Sequence, residues 1–210
     1  SFTIIVPEVH TLSAVDDGAL VHQGSLLSTA TGSARSLLAA ERVALNLLGQ
    51  LSGVATATRE LADRIADTGA SLVDTRKTVP GLRALQKSAV LAGGGKNHRM
   101  GLYDAVLIKD NHIAVSGSVE AAVKQARSKV GTDVTIEIEI ESVEELETVI
   151  SAGADVVMLD NMSTEDMATA VSLADGRCKL EASGGITMET IREVAETCLL
   201  YTSPSQRDRG

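Results

Sequence analysis

The spacing of apolar positions changes near residue 70. Before that point, Leu38, Leu45, Leu48, Leu51 and Ala55 recur at three- and four-residue steps, and Leu61 and Ile65 continue the stripe. That period puts them on one face of a helix covering about 36–66. Gly53 and the threonines at 56 and 58 predict a break into two helices. Beyond Gly69, short apolar runs predict strands at 71–75, 104–109, 134–140, 155–159 and 178–182. Helical patterns follow them at about 80–92, 117–130, after 142, after 163 and at about 187–197. Pro80 suits a first helical turn. Ser142-Val143-Glu144-Glu145 has the form of a capping box, and Ser163-Thr164-Glu165-Asp166 is an acidic helix start. Repeated βα units with short links require a parallel sheet with right-handed crossovers. The fold class is therefore α/β. Five strands are too few to close a barrel, so an incomplete open barrel is expected. Residues 1–33 are rich in Gly, Thr, Val and Ser, with turn signals at Asp16-Asp17-Gly18 and His22-Gln23-Gly24. Short strands at about 19–21 and 26–31 read as part of a small β-containing domain that begins before Ser1.

Polar groups gather where the apolar runs end. Residues 105–108 open directly into Lys109, Asp110, Asn111 and His112, and Leu72-Val73 opens into Asp74-Thr75-Arg76-Lys77. Glu139 lies in the third run, Asp160 ends the fourth, and Ser183-Gly184-Gly185 follows the fifth. In α/β sheets and barrels the C-terminal strand ends are where ligands bind. Five successive strands delivering such groups to one rim point to an enzyme.

Composition narrows the picture. Aromatic residues make up only 1 %, so the core is aliphatic, as suits an α/β interior. The net charge of -9 argues against a general nucleic-acid surface. Against that background Arg76, Lys77, Arg99 and Lys109 form a basic cluster suited to an anionic ligand. Cys178 and Cys198 have neither metal-ligand nor redox spacing, which implies reduced thiols in a cytoplasmic protein. No apolar run is long enough to span a bilayer, and a leader upstream of Ser1 stays open.

The chemistry follows from residue types. Arg76 offers a bidentate fork for carboxylate or phosphate, and Lys77 adds a point charge. Gly93-Gly94-Gly95 allows a close backbone approach or a sharp turn, and ahead of Asn97-His98-Arg99 it reads as a positioning device. His98 has no second ligand at metal spacing, which favours a hydrogen-bonding or charge-donating role. Glu137, Glu139 and Glu141 alternate with isoleucines and share one strand face, the barrel interior if helices cover the isoleucines. Glu139 and Asp160 together suit Mg²⁺, a hard ion taking few carboxylates plus phosphate oxygens. Ser183-Gly184-Gly185 ahead of a helix start at Thr187 suits a phosphate.

Several long segments carry a resemblance. Residues 41–56 (ERVALNLLGQLSGVAT), 74–83 (DTRKTVPGLR), 93–113 (GGGKNHRMGLYDAVLIKDNHI), 137–141 (EIEIE), 159–162 (LDNM) and 181–186 (EASGGI) resemble the quinolinate phosphoribosyltransferases of NAD synthesis. The resemblance runs from about Asp17 to Thr197. It implies part of an N-terminal α/β sandwich domain with a connecting helix over 1–50, and an open α/β barrel, incomplete here, over 51–197. It also implies a homodimer, quinolinate and phosphoribosyl pyrophosphate as substrates, Mg²⁺ as cofactor, and no nucleic acid or membrane. By position, Arg42, Arg76, Arg99 and Lys109 would neutralise quinolinate's carboxylates, Arg42 reaching the neighbouring subunit's site, with Lys77 and His98 lining the pocket. Glu139 and Asp160 would face the ribose and Mg-pyrophosphate, and Ser183, Gly184 and Gly185 the 5′-phosphate. Lys77, Lys109, Glu139 and Asp160 carry the catalytic assignment. The alternatives are a same-fold relative acting on another acceptor, such as one associated with molybdenum transport, or a non-catalytic module.

The ends depart from the family pattern. No strand is predicted after Thr197, where residues 198–210 (CLLYTSPSQRDRG) read as a non-native tail. A chain lacking the last βα units is expected to be poorly stable and nearly inactive.

Overall fold

In the computed structural model, residues 8–197 and the backbone of 201–203 are described. The first strands are β1 (His10–Ser13) and β2 (Ser28–Thr31), an antiparallel pair with His10 opposite Thr31. The strand expected at 19–21 does not form. Gly18 and Gly24, both with positive φ, turn the chain on either side of it and leave too short a run for a ladder.

Helix α1 (Ala34–Arg64) is continuous, against the expectation of a break at Gly53. Ser33 caps it, its hydroxyl accepting from the Ser36 amide at 3.2 Å. A glycine inside a helix costs about 1 kcal/mol relative to alanine. Here Ala40, Ala44, Thr58 and Leu61 are buried along the same helix, so packing outweighs that cost.

Six parallel strands make the main sheet, in the order β3 (Ser71–Leu72), β8 (Tyr201–Ser203), β7 (Lys179–Ser183), β6 (Val156–Asp160), β5 (Ile136–Ile140), β4 (Val106–Ile108). Beyond β3, a bridge from Val73 to Lys96 brings the segment leading to His98 alongside. Strand β8 corrects the expectation that none follows Thr197: it pairs with β7 on one side and β3 on the other. Tyr, Thr and Ser suffice for three ladder positions, and the proline at 204 comes after the strand. The rest of the expected tail lies outside the described residues.

The remaining helices are α2 (Arg83–Ala92), α3 (Asp110–Ser116), α4 (Val119–Val130), α5 (Leu146–Ala152), α6 (Thr164–Ala174) and α7 (Ile191–Glu196). Two starts differ from expectation. Pro80 lies in a turn before α2, where Gly81 has φ +80°. Ser142 makes no side-chain cap; instead Glu145 accepts from the Glu141 amide at 3.3 Å, and a single 3-10 turn precedes α5. Ser163 does cap α6, accepting from the Asp166 amide at 3.1 Å.

Register divides the sheet into two faces. Glu139 pairs with Met158, which pairs with Glu181, and Asp160 pairs with Ser183. These residues face the barrel interior. Ile136, Ile138, Ile140, Val157, Leu159 and Ala182 face the helices and are at most 2 % exposed. With Leu146, Val149, Met167, Ala170 and Ile191 they form the core. Among the described residues no helix is long and apolar enough to cross a membrane.

Candidate active site

Two groups of ionisable side chains occupy the interior of the barrel and its C-terminal rim. The rim group begins at Lys109, which follows β4 and is the N-cap of α3. His112 Nδ1 accepts from the Lys109 amide at 3.0 Å and pins this turn. Lys109 Nζ is paired with Glu139 on the adjacent strand β5. One strand further on is Asp160. Burial first, then the charge of Glu139, holds its carboxyl above the usual carboxylate value, while Ser183, Lys109 and Lys77 oppose the shift. Asn161 follows with φ 54°, its amide group donating to Asp160 at 2.9 Å and its backbone N–H to the Ser183 carbonyl at 2.8 Å. Gly184 has φ +84°, and a Cβ there would collide with the Asn161 side chain. Only glycine fits this corner between β6 and β7.

The second group centres on His98. Its Nε2 lies 2.9 Å from Glu137 of β5 and 3.4 Å from Glu181 of β7. Hydrogen bonding to Glu137, then to Glu181, pushes the imidazole up to about 10 despite its burial. The backbone of His98 is held as well. Its N–H donates to Asp74 at 2.8 Å, and its carbonyl accepts from Lys87 at 2.9 Å. Lys87, from α2, is 1 % exposed and is paired with Asp74. In the amide orientation that satisfies its neighbours, Asn97 also donates to Asp74 at 2.7 Å. Arg99 follows; burial, then the charge of Arg76, lowers its pKa, while Glu137 and Asp104 pull the other way. Arg76 Nε is buried with no hydrogen-bond partner among the described residues. Arg83 braces the loop between the groups, donating to Thr78 at 3.1 Å and to the Met100 carbonyl at 3.2 Å.

Two cavities lie beside these groups, although Arg76, Lys109, Glu139, Asp160 and Ser183 line neither. One of about 680 Å³ is lined by Lys77, Asp74 and Thr75 on one side and by Thr187 and Met188 on the other. The other, about 390 Å³, is lined by His98, Arg99, Asp104, Glu137 and Glu181.

The structure thus brings together Lys77, Lys109, Glu139, Asp160 and Ser183 around the rim, and Arg76, His98 and Arg99 around the buried glutamates. Glu137 and Glu139 face inward as expected, whereas Glu141 is exposed beyond the strand end. Arg42 lies on an exposed part of α1 and lines neither cavity. One expectation is corrected. No helix starts at Thr187: residues 187–190 make a turn, and α7, of six residues, begins at Ile191. The glycine run makes the sharp turn expected of it, Gly94 having φ +91°, and it also serves packing: a Cβ on Gly93 would lie 2.5 Å from the Ala55 carbonyl oxygen and 2.6 Å from Thr58. Sequence reasoning missed Lys87, Arg83 and the roles of Asp74 and Glu181. Lys87 reads as an ordinary helix lysine, and nothing in the spacing of 74 and 87 announces a buried pair.

Comparison with known proteins identifies the family. Residues 54–206 match the family model described as quinolinate phosphoribosyl transferase, C-terminal domain, and residues 2–52 match its N-terminal domain. A probable carboxylating nicotinate-nucleotide pyrophosphorylase of Bacillus subtilis is 46 % identical over 202 residues, covering 96 % of this chain and 70 % of that protein. The Mycobacterium leprae nicotinate-nucleotide pyrophosphorylase is 43 % identical, over 90 % of this chain and 68 % of its own length. Among solved structures, NadC from Streptococcus pyogenes superposes with a TM-score of 0.90 at 43 % identity, covering 96 % of this chain and 72 % of that one. The pyrophosphorylase from Francisella tularensis gives 0.92 at 40 % identity, covering all of this chain and 74 % of the other.

Proposed function

The chain belongs to the quinolinate phosphoribosyltransferase family, and from that premise we propose how its residues divide the reaction between them. The reaction joins the ring nitrogen of quinolinate to C1 of phosphoribosyl pyrophosphate. It releases pyrophosphate and CO2 and leaves nicotinate mononucleotide, a step of NAD biosynthesis. Quinolinate is a dianion, and the observation that supports its place best is the pair Arg76 and Arg99. The Arg76 guanidinium lies near enough to lower Arg99, and its own Nε–H is buried without a partner among the described residues. Carboxylates satisfy such a site bidentately. Lys109, Lys77 and His98 complete the cationic wall, which orients the ring nitrogen toward the ribose.

Departure of pyrophosphate leaves positive charge on the ribose. Glu139 and Asp160, on neighbouring strands, are placed to stabilise that charge electrostatically. The same two carboxylates fit Mg²⁺: they are hard oxygen donors close enough for Glu139 to raise Asp160. The ion, when bound, supplies charge neutralisation of the pyrophosphate. Ser183, Gly184 and Gly185 take the 5′-phosphate through backbone N–H groups at a corner where Gly184 and Gly185 have positive φ. Loss of the carboxylate beside the new bond needs an electron sink, and the cationic pyridinium provides it.

The proposed assembly is a homodimer in the cytoplasm. Arg42 shares α1 with Leu38, 71 % exposed, and with the exposed Leu45 and Leu48, an apolar face suited to a second copy. That copy would receive Arg42 in its quinolinate pocket. The test is product analysis with each substrate omitted in turn. Nicotinate mononucleotide and CO2 should form only with quinolinate, phosphoribosyl pyrophosphate and Mg²⁺ together. Turnover of nicotinate without CO2 release would refute the acceptor assignment.

A further inference from the structure

Interior positions of an α/β barrel are filled in layers by alternate strands, as a rule with branched aliphatic side chains. Strands β5 and β7 are alternate strands of this sheet. They place Glu137 and Glu181, two residues apart in ladder register, with carboxylate oxygens close enough to share one partner, each residue 2 % exposed. Two carboxylates at such depth are costly unless partnered. The group that touches both is His98 Nε2, at 2.9 and 3.4 Å. We propose that Glu137 and Glu181 are positioning residues: they clamp the His98 ring from inside the barrel and hold it as an imidazolium, so that the quinolinate pocket contains a histidine whose charge is constant through neutral pH. This inference rests on the reading of the pocket given above.

Three observations support it. The main chain of His98 is fixed on both sides, by Asp74 at its N–H and by Lys87 at its carbonyl, which sets the point from which the ring reaches the glutamates. Burial raises Glu181, and Glu137 beside it adds to the shift. Two carboxylates thus face one ring nitrogen, an arrangement that the N–H of a protonated imidazole satisfies. The other charged neighbours are Arg99, with Arg76 and Asp104 about it, the Asp74–Lys87 pair, and Lys96 and Lys179 on the cavity wall. This surplus of cations also weighs against a metal ion, although the three ligand atoms lie within 4.8 Å of one another.

The test is a histidine-selective NMR titration of the full chain, which has four histidines. His98→Gln identifies the signal. In the native protein that signal should stay at its imidazolium position between about pH 6 and 9. In Glu137→Gln/Glu181→Gln it should titrate inside that range. Quinolinate affinity should be flat over the same range in the native protein. In the double variant it should fall by about tenfold or more as the histidine loses its charge. Phosphoribosyl pyrophosphate affinity should change little. A native His98 that titrates near its ordinary value overturns the proposal, as does a double variant whose His98 signal stays flat. Stoichiometric divalent metal in the native protein, lost in His98→Gln, would also overturn it. If the double variant is unfolded by circular dichroism, Glu181→Gln and the native titration still decide. A flat His98 signal in a protein that does not bind quinolinate would keep the clamp and reject the proposed acceptor.

Discussion

Replacing Lys87 by methionine probes the joint that holds the His98 strand. The Lys87 side chain is 1 % exposed and its Asp74 partner 7 %, so the ion pair is out of water. Methionine keeps most of the volume, and a volume-conserving swap by itself costs little. What disappears is the pair with Asp74 and the hydrogen bond to the His98 carbonyl. Removing one partner of a buried ion pair costs about 3–5 kcal/mol, because the other charge is left uncompensated. Asp74 keeps the His98 N–H at 2.8 Å and the Asn97 amide, which puts the expected loss at the lower end of that range. For a domain of this size, about 3 kcal/mol corresponds to roughly 6–12 °C in Tm. Asp74→Asn/Lys87→Met removes both charges and should lose clearly less than the sum of the single variants. Urea unfolding followed by circular dichroism, with calorimetry on all four proteins, reads the cycle. A single-variant loss under about 1 kcal/mol, or additivity within about 0.5 kcal/mol, would refute the reasoning.

Three further outcomes are expected. Arg99→Ala and Lys109→Ala should each weaken quinolinate binding by roughly 2–5 kcal/mol, the cost of leaving a bound carboxylate without its cation, with a smaller effect on phosphoribosyl pyrophosphate; calorimetric titration with each substrate checks the difference, and equal losses would sink the assignment. Inactive Arg42→Ala and inactive Arg76→Ala proteins, mixed under verified subunit exchange, should regain partial activity; no recovery would place Arg42 in the site of its own chain. Gly93→Val should lower stability by at least about 1–3 kcal/mol through overpacking against α1, with quinolinate affinity in the remaining folded protein near the native value; a selective loss of affinity at unchanged Tm would restore a ligand-facing role for the glycine run.

Much of the architecture was legible along the chain. The alternation of Glu137, Ile138, Glu139 and Ile140 assigned opposite faces to acid and aliphatic side chains, and the strand does bury its isoleucines under the helices. Polar residues at the ends of apolar runs marked one rim, and Lys109, Glu139, Asp160 and Ser183 meet there. Boundaries and breaks were less legible. Gly53 carries a local helix-breaking signal, but that signal is worth only about 1 kcal/mol and burial of the α1 face decides the outcome. Tyr201-Thr202-Ser203 has no apolar pattern to declare a strand. Its pairing depends on the slot between β3 and β7, which exists only once both have folded.

The sequence alone determined the βα order, the faces of the long strands, the aliphatic core and the set of ionisable groups delivered to the rim. These follow from periodicity, which is local and needs no knowledge of distant residues. Tertiary structure decided the partners. His98 meets Glu137 and Glu181, and Lys87 meets Asp74, across separations that no spacing rule connects. The curve of the sheet brings His98 to its glutamates, and the position of α2 beside the end of β3 brings Lys87 to Asp74. Hydrogen bonding to the two glutamates raises the His98 imidazole against its burial, and Asp74 holds Lys87 out of water, because in a low-dielectric interior each charge needs its counterpart within reach.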